Sequence, residues 1–172
     1  EGAFIAKWGT EGSGDGQFLL PQGVVVDHAG NIYVVEGITY YGSQMINARV
    51  QKFTSDGALV AKWGALGSGD GQFYLPQGVA VDGAGNVYVA DSGNQRIQVY
   101  TFLGDTPVYS TTIGVTDVTG VDNSHFNNPA HITLDSSGRL YVVDANNNRV
   151  QRCTYSGATW GCQTFASGLS LP

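Results

Sequence analysis

Carboxylates in glycine-rich loops are the first residues in this chain that could do chemistry. Asp15 and Asp70 lie in two copies of one loop, Gly12–Phe18 and Gly67–Phe73, and both copies read GSGDGQF. Asp122 lies in a divergent third copy that reads DNSHF. Calcium takes carboxylate and carbonyl oxygens as ligands, so these three aspartates are calcium candidates. No loop has the acidic density of a dedicated calcium loop, and the sequence predicts no cofactor and no resident metal.

Histidines are the second group with chemical potential. The chain has three, His28, His125 and His131, and they lie in different types of segment. A catalytic zinc site needs about three protein ligands and an open position, and this spacing does not supply them. Nucleophile-elbow, phosphate-loop, Rossmann and Cys–His nucleophile patterns are also absent from the sequence. No catalytic residue is therefore predicted.

Other carboxylates recur at fixed places, which favours a scaffold role because a catalytic site is normally singular. One set ends a predicted strand and starts an Asx-type turn. Its members are Asp27, Asp82 and Asp135. A second set brackets a short loop with an arginine, and it predicts local ion pairs. These pairs are Asp91 with Arg96 and Asp144 with Arg149.

The elements that position these residues are short strands in a repeat. The segment 76–100, PQGVAVDGAGNVYVADSGNQRIQVY, alternates β-branched and aromatic residues between clusters of Gly, Asn and Asp. It recurs at 21–53 and at 129–153, with steps of 55 and 53 residues between the leading prolines. A period of this size indicates a solenoid, a propeller or an array.

A fourth strand completes each unit. Residues 1–9, EGAFIAKWG, match residues 56–64, DGALVAKWG, so the chain is expected to open on the outer strand of a preceding unit. The predicted strands are 24–27, 32–36, 49–53 and 58–63 in unit one; 79–82, 87–91, 96–101 and 108–113 in unit two; and 132–135, 140–144, 149–154 and 159–165 in unit three. Four-stranded antiparallel units of this length predict an all-β fold, a β-propeller of about three blades.

The pattern Pro-x-Gly-Val-x-Val-Asp-x-x-Gly-Asn-Val-Tyr-Val-x-Asp, followed by Asn-x-Arg-Ile-Gln, resembles the NHL repeat, and unit two matches it best. Propellers of that family commonly close with six blades, so the resemblance implies a partial or open propeller, or part of a six-bladed ring. The chain is expected to form one propeller segment: an outer strand at 1–9, blades at 18–64, 73–114 and 126–166, and a lead-in to a next blade at 167–172.

Several residues depart from the pattern. Glu36 stands where the pattern has Asp, and an insertion of about eight residues lies within Gly37–Asn47. In unit three, His131 replaces Gly78 and Arg139 replaces Asn86 of unit two. The resemblance implies that His131 lies near the propeller axis, where some NHL-like lyases bind a metal with histidines.

Two cysteines flank a predicted hairpin turn. If the turn is centred between Gly157 and Ala158, Cys153 and Cys162 lie directly opposite each other. An opposed pair can form a disulfide, which we favour over two reduced thiols. A disulfide would indicate an oxidising compartment, so the chain is expected to be extracellular, at the cell surface or periplasmic.

Charge and composition exclude some partners. The formal net charge is −6 with three lysines and no basic cluster, which argues against nucleic acid binding. No apolar run is long enough for a membrane span, so membrane insertion is not predicted.

Loops on one face of the predicted propeller are the expected ligand or partner face, because rigid scaffolds usually carry their sites on loops. The candidates are Tyr40, Tyr41 and Met45 in the insertion, together with His125 and His131. The first three would alternatively cap an exposed blade edge.

A half ring would expose apolar blade faces and strand edges, which soluble proteins rarely leave bare. The sequence therefore predicts a non-catalytic scaffold that binds protein, either other copies of itself or further blades of the same chain. Two alternatives are a ligand-binding sensor or receptor ectodomain, and a metal-dependent lyase of the NHL-like type whose site is completed by blades outside this chain.

Overall fold

A computed structural model describes residues 7–37, 39–41 and 44–168, with the backbone alone for 39–41 and 44–46. The strands in chain order are β1 (Thr10–Glu11), β2 (Gln17–Phe18), β3 (Pro21–Val26), β4 (Ile32–Glu36), β5 (Thr39–Tyr41), β6 (Gln44–Ile46), β7 (Arg49–Phe53), β8 (Leu59–Trp63), β9 (Pro76–Val81), β10 (Val87–Asp91), β11 (Arg96–Leu103), β12 (Thr106–Gly114), β13 (Pro129–Leu134), β14 (Leu140–Asp144), β15 (Arg149–Tyr155) and β16 (Trp160–Ser167). Single 3₁₀ turns lie at Ser92–Asn94 and Ala145–Asn147. Among the described residues, the structure contains no helix with the length and apolar character of a membrane span.

Three antiparallel four-stranded sheets form the blades. Blade 1 contains β3, β4, β7 and β8, blade 2 contains β9 to β12, and blade 3 contains β13 to β16, each in sequential order. The all-β propeller prediction is confirmed. The three sheets do not close into a ring within the described residues. The insertion in blade 1 forms an antiparallel hairpin of its own, β5 with β6.

Local turn chemistry explains why the first two strands of each blade pair. In blade 2, the N–H of Gly85 donates to the carbonyl of Asp82, and the N–H of Asp82 donates to the carbonyl of Asn86. Gly85 has φ +86°, a left-handed conformation that glycine adopts without a steric penalty. Gly30 and Gly138 hold the same place in the other blades, with φ +85° and +74°.

The first strand of each blade begins three residues earlier than the sequence predicted. Pro21, Pro76 and Pro129 lie opposite Glu36, Asp91 and Asp144 in the register, and the pairing shifts before the next matched residues. A proline has no N–H, so it is tolerated as the first residue of a strand. The prolines therefore mark the strand starts.

The innermost strands β3, β9 and β13 pack against one another in series, and glycine permits the approach. A Cβ at Gly78 in β9 would lie 2.5 Å from the carbonyl oxygen of Ala130 in β13. A Cβ at Gly23 in β3 would lie 2.7 Å from the carbonyl oxygen of Gln77 in β9. The glycine of the repeat therefore sets how closely each blade approaches the next.

Two hydrophobic layers hold the blades together. The first interface, between blades 1 and 2, buries Tyr33, Val35, Ala48, Val50, Phe73, Val79, Val87, Val89 and Tyr100. The second interface, between blades 2 and 3, buries Ala80, Tyr88, Ala90, Ile97, Val99, Ile113, Phe126, Leu140, Val142 and Cys153. The core thus lies between the sheets, and each blade needs a neighbour to bury its faces.

Two predicted segments lie mostly outside the described residues. Of the expected outer strand at 1–9, residues 7–9 are described, and they are not in a strand. The ring centroids of Trp8 and Phe53 are 4.7 Å apart. The equivalent pair one blade later is Trp63 and Tyr100, whose ring centroids are 5.6 Å apart. The outer strand at 1–9 and the lead-in at 167–172 stay predictions, as do the blade boundaries.

Candidate functional site

Each blade buries one carboxylate beneath the loop that precedes its first strand. In blade 2, Asp91 is fully buried and accepts hydrogen bonds from the N–H of Tyr74 at 2.7 Å and from Arg96 Nε at 2.8 Å. It also accepts from Asn94 Nδ2 at 2.8 Å and from Gln98 Nε2 at 3.1 Å. Burial raises the pKa of Asp91, although these donors act in the opposite direction. The predicted ion pair with Arg96 is present.

The arginine of this cluster extends into the glycine-rich loop. Arg96 donates from one terminal nitrogen to the carbonyls of Gly69, at 2.8 Å, and Gln72, at 3.0 Å. Gln98 accepts from the N–H of Gly71 at 2.9 Å. The cluster therefore fastens the loop to the blade.

The other two blades repeat this arrangement. Their equivalent residues are Glu36, Arg49 and Gln51 in blade 1, and Asp144, Arg149 and Gln151 in blade 3. Glu36 departs from the repeat pattern, yet it accepts hydrogen bonds from the same kinds of donor as the two aspartates. These donors include the N–H of Leu19 and Nδ2 of Asn47.

The second repeated carboxylate organises the turn between the first two strands. Asp82 Oδ1 accepts from the N–H groups of Ala84 and Asn86, both at 2.9 Å. Asp82 Oδ2 accepts from Asn86 Nδ2 at 2.8 Å and from the hydroxyl of Tyr88 at 3.1 Å. Asp27 and Asp135 make equivalent contacts. Both repeated carboxylate sets thus hold the backbone in place.

The aspartates of the glycine-rich loops have different surroundings. Asp15 pairs with Lys62, whereas Asp70 is exposed. Asp122 accepts from Ser124 Oγ and lies 2.7 Å from Nδ1 of His125, and these contacts hold the pKa of its carboxyl well below the usual range. Calcium binding at these positions stays a prediction. In the described part of the chain, no three His, Cys, Asp or Glu residues are grouped so that they could hold a metal ion.

The glycine-rich loops and the turns after the second strands lie at the same end of the blades. Asn94 Nδ2 donates to the carbonyl of Gly67 at 2.8 Å, and Asn147 Nδ2 donates to that of Gly120 at 2.7 Å. His125 lies at this end as well. The side chains of Tyr40, Tyr41 and Met45 lie outside the described residues, so their role on this face stays a prediction.

His131 is the third residue of β13, and its side chain is exposed. It occupies the place of Gly23 and Gly78, on an innermost strand. No hydrogen bond or ion pair joins it to another residue that the structure describes. The structure places His131 and His125 in separate elements, and neither is grouped with His28.

The predicted disulfide between Cys153 and Cys162 is present. The two residues are directly opposed in the register of β15 and β16, with their Cα atoms 4.0 Å apart. The bridge joins the outermost two strands of blade 3.

The sequence model of the NHL repeat matches residues 73–100 and 126–153. These ranges run from the loop of one blade to its third strand, and they contain the carboxylate, arginine and glutamine of the buried cluster. The chain is built of NHL repeats.

Two relatives extend this similarity beyond the matched ranges. NHL repeat-containing protein 3 of Homo sapiens is 38% identical over 84 residues, which are 49% of this chain and 23% of that protein. Protein brain tumor of Drosophila melanogaster is 30% identical over 149 residues, which are 86% of this chain and 12% of that protein. The chain thus spans less than a quarter of the length of either relative.

A solved structure supports the fold. The NHL-repeat chain is similar to the streptogramin B lyase structure, with a TM-score of 0.56 and 19% sequence identity over 84% of this chain and 40% of that one. At this identity the likeness concerns the fold alone.

The outward faces of the terminal NHL blades differ in exposure from the same positions inside the array. Val24 in β3 is 65% exposed, whereas Val79, at the same place in β9, is 7% exposed. On the outward face of blade 3, Phe165 is largely exposed and packs edge-on against Tyr141. The difference arises because blade 1 covers Val79, while no described blade covers Val24.

Sequence reasoning missed two features of these NHL blades. One is the glutamine of the buried cluster, whose recurrence as Gln51, Gln98 and Gln151 was a readable signal. The other is that the two blade interfaces contain different residues at equivalent positions. Trp63 in the first interface corresponds to Ile113 in the second, and Tyr109 corresponds to Cys162.

Proposed function

We propose that this chain is a non-catalytic NHL scaffold that works through protein–protein contact at its two outward blade faces. The exposure of Val24, at a position that is buried in the next blade, is the observation that carries this proposal. Val26, on the same face of β3, is also more than half exposed, and a contiguous exposed apolar patch marks an interaction surface.

The occupant we favour is a second copy of this chain, bound head to tail. The outward face of blade 3 corresponds to the faces that blades 1 and 2 present to their successors. The outward face of blade 1 corresponds to the faces that blades 2 and 3 present to their predecessors. A head-to-tail contact would therefore resemble the interface that the chain already forms twice, except at His131, which stands in the place of Gly23 and Gly78.

The non-catalytic part of the proposal is supported by the repeated carboxylates. Asp82 and Asp91, with their counterparts, use their oxygens to hold turns and loops, and each recurs in every blade. A lyase would require metal ligands beyond His131. Metal analysis of the purified protein distinguishes this alternative, because stoichiometric bound metal would favour the lyase.

We also propose an extracellular or periplasmic location. The disulfide between Cys153 and Cys162 supports it, since such bonds persist mainly in oxidising compartments.

The native mass, measured by light scattering after size exclusion over a range of concentrations, tests the scaffold proposal. We expect species that are multiples of 18.1 kDa and that grow with concentration. Val24→Glu should abolish them because it places a charge in the contact. Val121→Glu is the matched control, because Val121 is an exposed valine in a loop. A monomer at every concentration would overturn self-association.

A further inference from the structure

The two blade interfaces differ at their outer rim. Between blades 2 and 3 a cleft of about 940 Å³ opens between the outer strands, lined from one side by β11 and β12 and from the other by β16. Small-molecule sites commonly occupy about 300–1,000 Å³ and combine aromatic walls with a few polar groups.

Larger side chains stand at the corresponding place in the first interface. In that interface the ring centroids of Trp63 and Phe102 are 5.6 Å apart, and Lys52 Nζ lies 4.9 Å from the ring centroid of Phe102. Ile113 stands in the place of Trp63 in the second interface, and Val99 in the place of Lys52. The loss of an indole and of a long side chain leaves room that no other described side chain occupies.

Aromatic rings form the outer part of the cleft. Tyr155, at the place of Phe102, is 56% exposed, and its ring lies 5.5 Å from that of Trp160. Trp160 in turn packs edge-on against Tyr88 at 5.8 Å. The faces of such rings carry partial negative charge and attract the partially positive C–H groups of a ligand.

Hydroxyl groups line the opposite wall. Thr101 and Thr111 lie on the face of blade 2 that turns toward blade 3, and Ser110 lies beside them. Within the described ranges, the hydroxyls of Thr101 and Thr111 have no hydrogen-bond partner. Asp122 is the one ionised side chain among the lining residues. Its carboxylate lies within hydrogen-bond distance of Ser124 Oγ and His125 Nδ1.

We propose that this cleft binds a short neutral oligosaccharide. Aromatic rings such as the exposed ring of Tyr155 suit the C–H faces of sugar rings, and the threonine hydroxyls without partners suit their hydroxyl groups. An anionic ligand would meet Asp122 and no cation in the lining, while an apolar ligand would bury the threonine hydroxyls without partners, which is unfavourable.

Isothermal titration calorimetry with trisaccharides tests this site. The probes are cellotriose, maltotriose and N,N′,N″-triacetylchitotriose, each added to the complete chain. We expect saturable one-site binding of at least one of them. The double variant Thr101→Val/Thr111→Val keeps the shape of the wall and should raise Kd about tenfold, because two hydrogen bonds are lost. Thr154→Val is the control and should leave Kd unchanged, because Thr154 lies on the face of β15 that points away from the cleft.

A second variant tests the site by filling it. Ile113→Trp installs the residue that stands at this place in the first interface, and it should abolish binding while the circular dichroism spectrum stays that of the wild type. If no trisaccharide binds, or if one binds the threonine double variant as tightly as the wild type, the proposal is wrong. Neither result depends on self-association, which the light-scattering experiment measures separately.

Discussion

The surroundings of three tyrosines raise the pKa of their hydroxyl groups. The hydroxyls of Tyr33 and Tyr88 donate to Asp27 and Asp82, both at 3.1 Å, and that of Tyr100 donates to Gln98 at 3.1 Å. Burial raises the pKa of all three, and the neighbouring carboxylates raise it further.

This shift predicts the behaviour of the protein at alkaline pH. A tyrosine whose folded pKa lies above its unfolded value of about 10 stabilises the fold below that pH, and this contribution is lost as the pH rises through the folded pKa. We expect three of the nine tyrosines to ionise only with unfolding, as a cooperative step in the absorbance at 295 nm. The step should coincide with loss of the circular dichroism signal. Nine tyrosines that titrate smoothly near pH 10 in a folded protein would contradict this.

The buried arginine of blade 2 allows a second prediction at the residue scale. Arg96 is 1% exposed, and Arg96→Met would leave Asp91 buried without its ion-pair partner. Removing one partner of a buried ion pair costs about 3–5 kcal/mol, so the urea midpoint should fall sharply. Arg139→Met is the matched control, because the pair between Arg139 and Asp135 is exposed. Equal midpoints for both variants would refute the role of the cluster.

At the scale of the element, the spacing between innermost strands depends on glycine. Gly78→Ala would force a Cβ to within 2.5 Å of the carbonyl oxygen of Ala130, so β9 and β13 would have to move apart. Overpacking of this kind costs about 1–3 kcal/mol in free energy of unfolding. Gly83→Ala is the control, since a Cβ there meets no atom within 4 Å. Chemical denaturation of both variants measures the difference, and a stable Gly78→Ala protein would show that the contact relaxes freely.

The disulfide acts on the outermost strand pair. It links two cysteines whose sequence separation is 9. For a loop of this length, the chain-entropy model gives a stabilisation of about 2–3 kcal/mol. We expect Cys153→Ala/Cys162→Ala to lower the free energy of unfolding by this amount. Dithiothreitol should have the same effect on the wild type and none on the double variant. A loss caused by dithiothreitol in both proteins would point to another cause.

For the whole molecule, His131 sets how a further blade could approach blade 3. It stands where Gly23 and Gly78 permit close contact between innermost strands, so any blade that follows must pack less closely there. If copies associate head to tail, His131→Gly should strengthen the association, with a lower concentration for half-assembly in light scattering. Thr133→Gly, on the same exposed strand face, is the control. Weaker association of His131→Gly would contradict a contact of this kind.

Local sequence determined the repeating unit. Turn residues such as Asp82 and Gly85, the alternation in β10, the Asp91–Arg96 pair and the opposed cysteines act over a few residues along the chain. Their consequences were therefore predictable, including the four-stranded blade and the disulfide. The strand starts at the prolines were missed, because a proline reads as a break unless its place at the first position of a strand is considered.

Only the tertiary structure decided what surrounds each unit. Val24 and Val79 are the same residue at the same place in the repeat, yet one is exposed and the other buried, because burial depends on the neighbouring blade. The cleft likewise lies between two blades, where Ile113 and Val99 stand in the places of the larger Trp63 and Lys52. Such properties belong to pairs of distant residues, and the spacing of residues within one repeat carries no information about them.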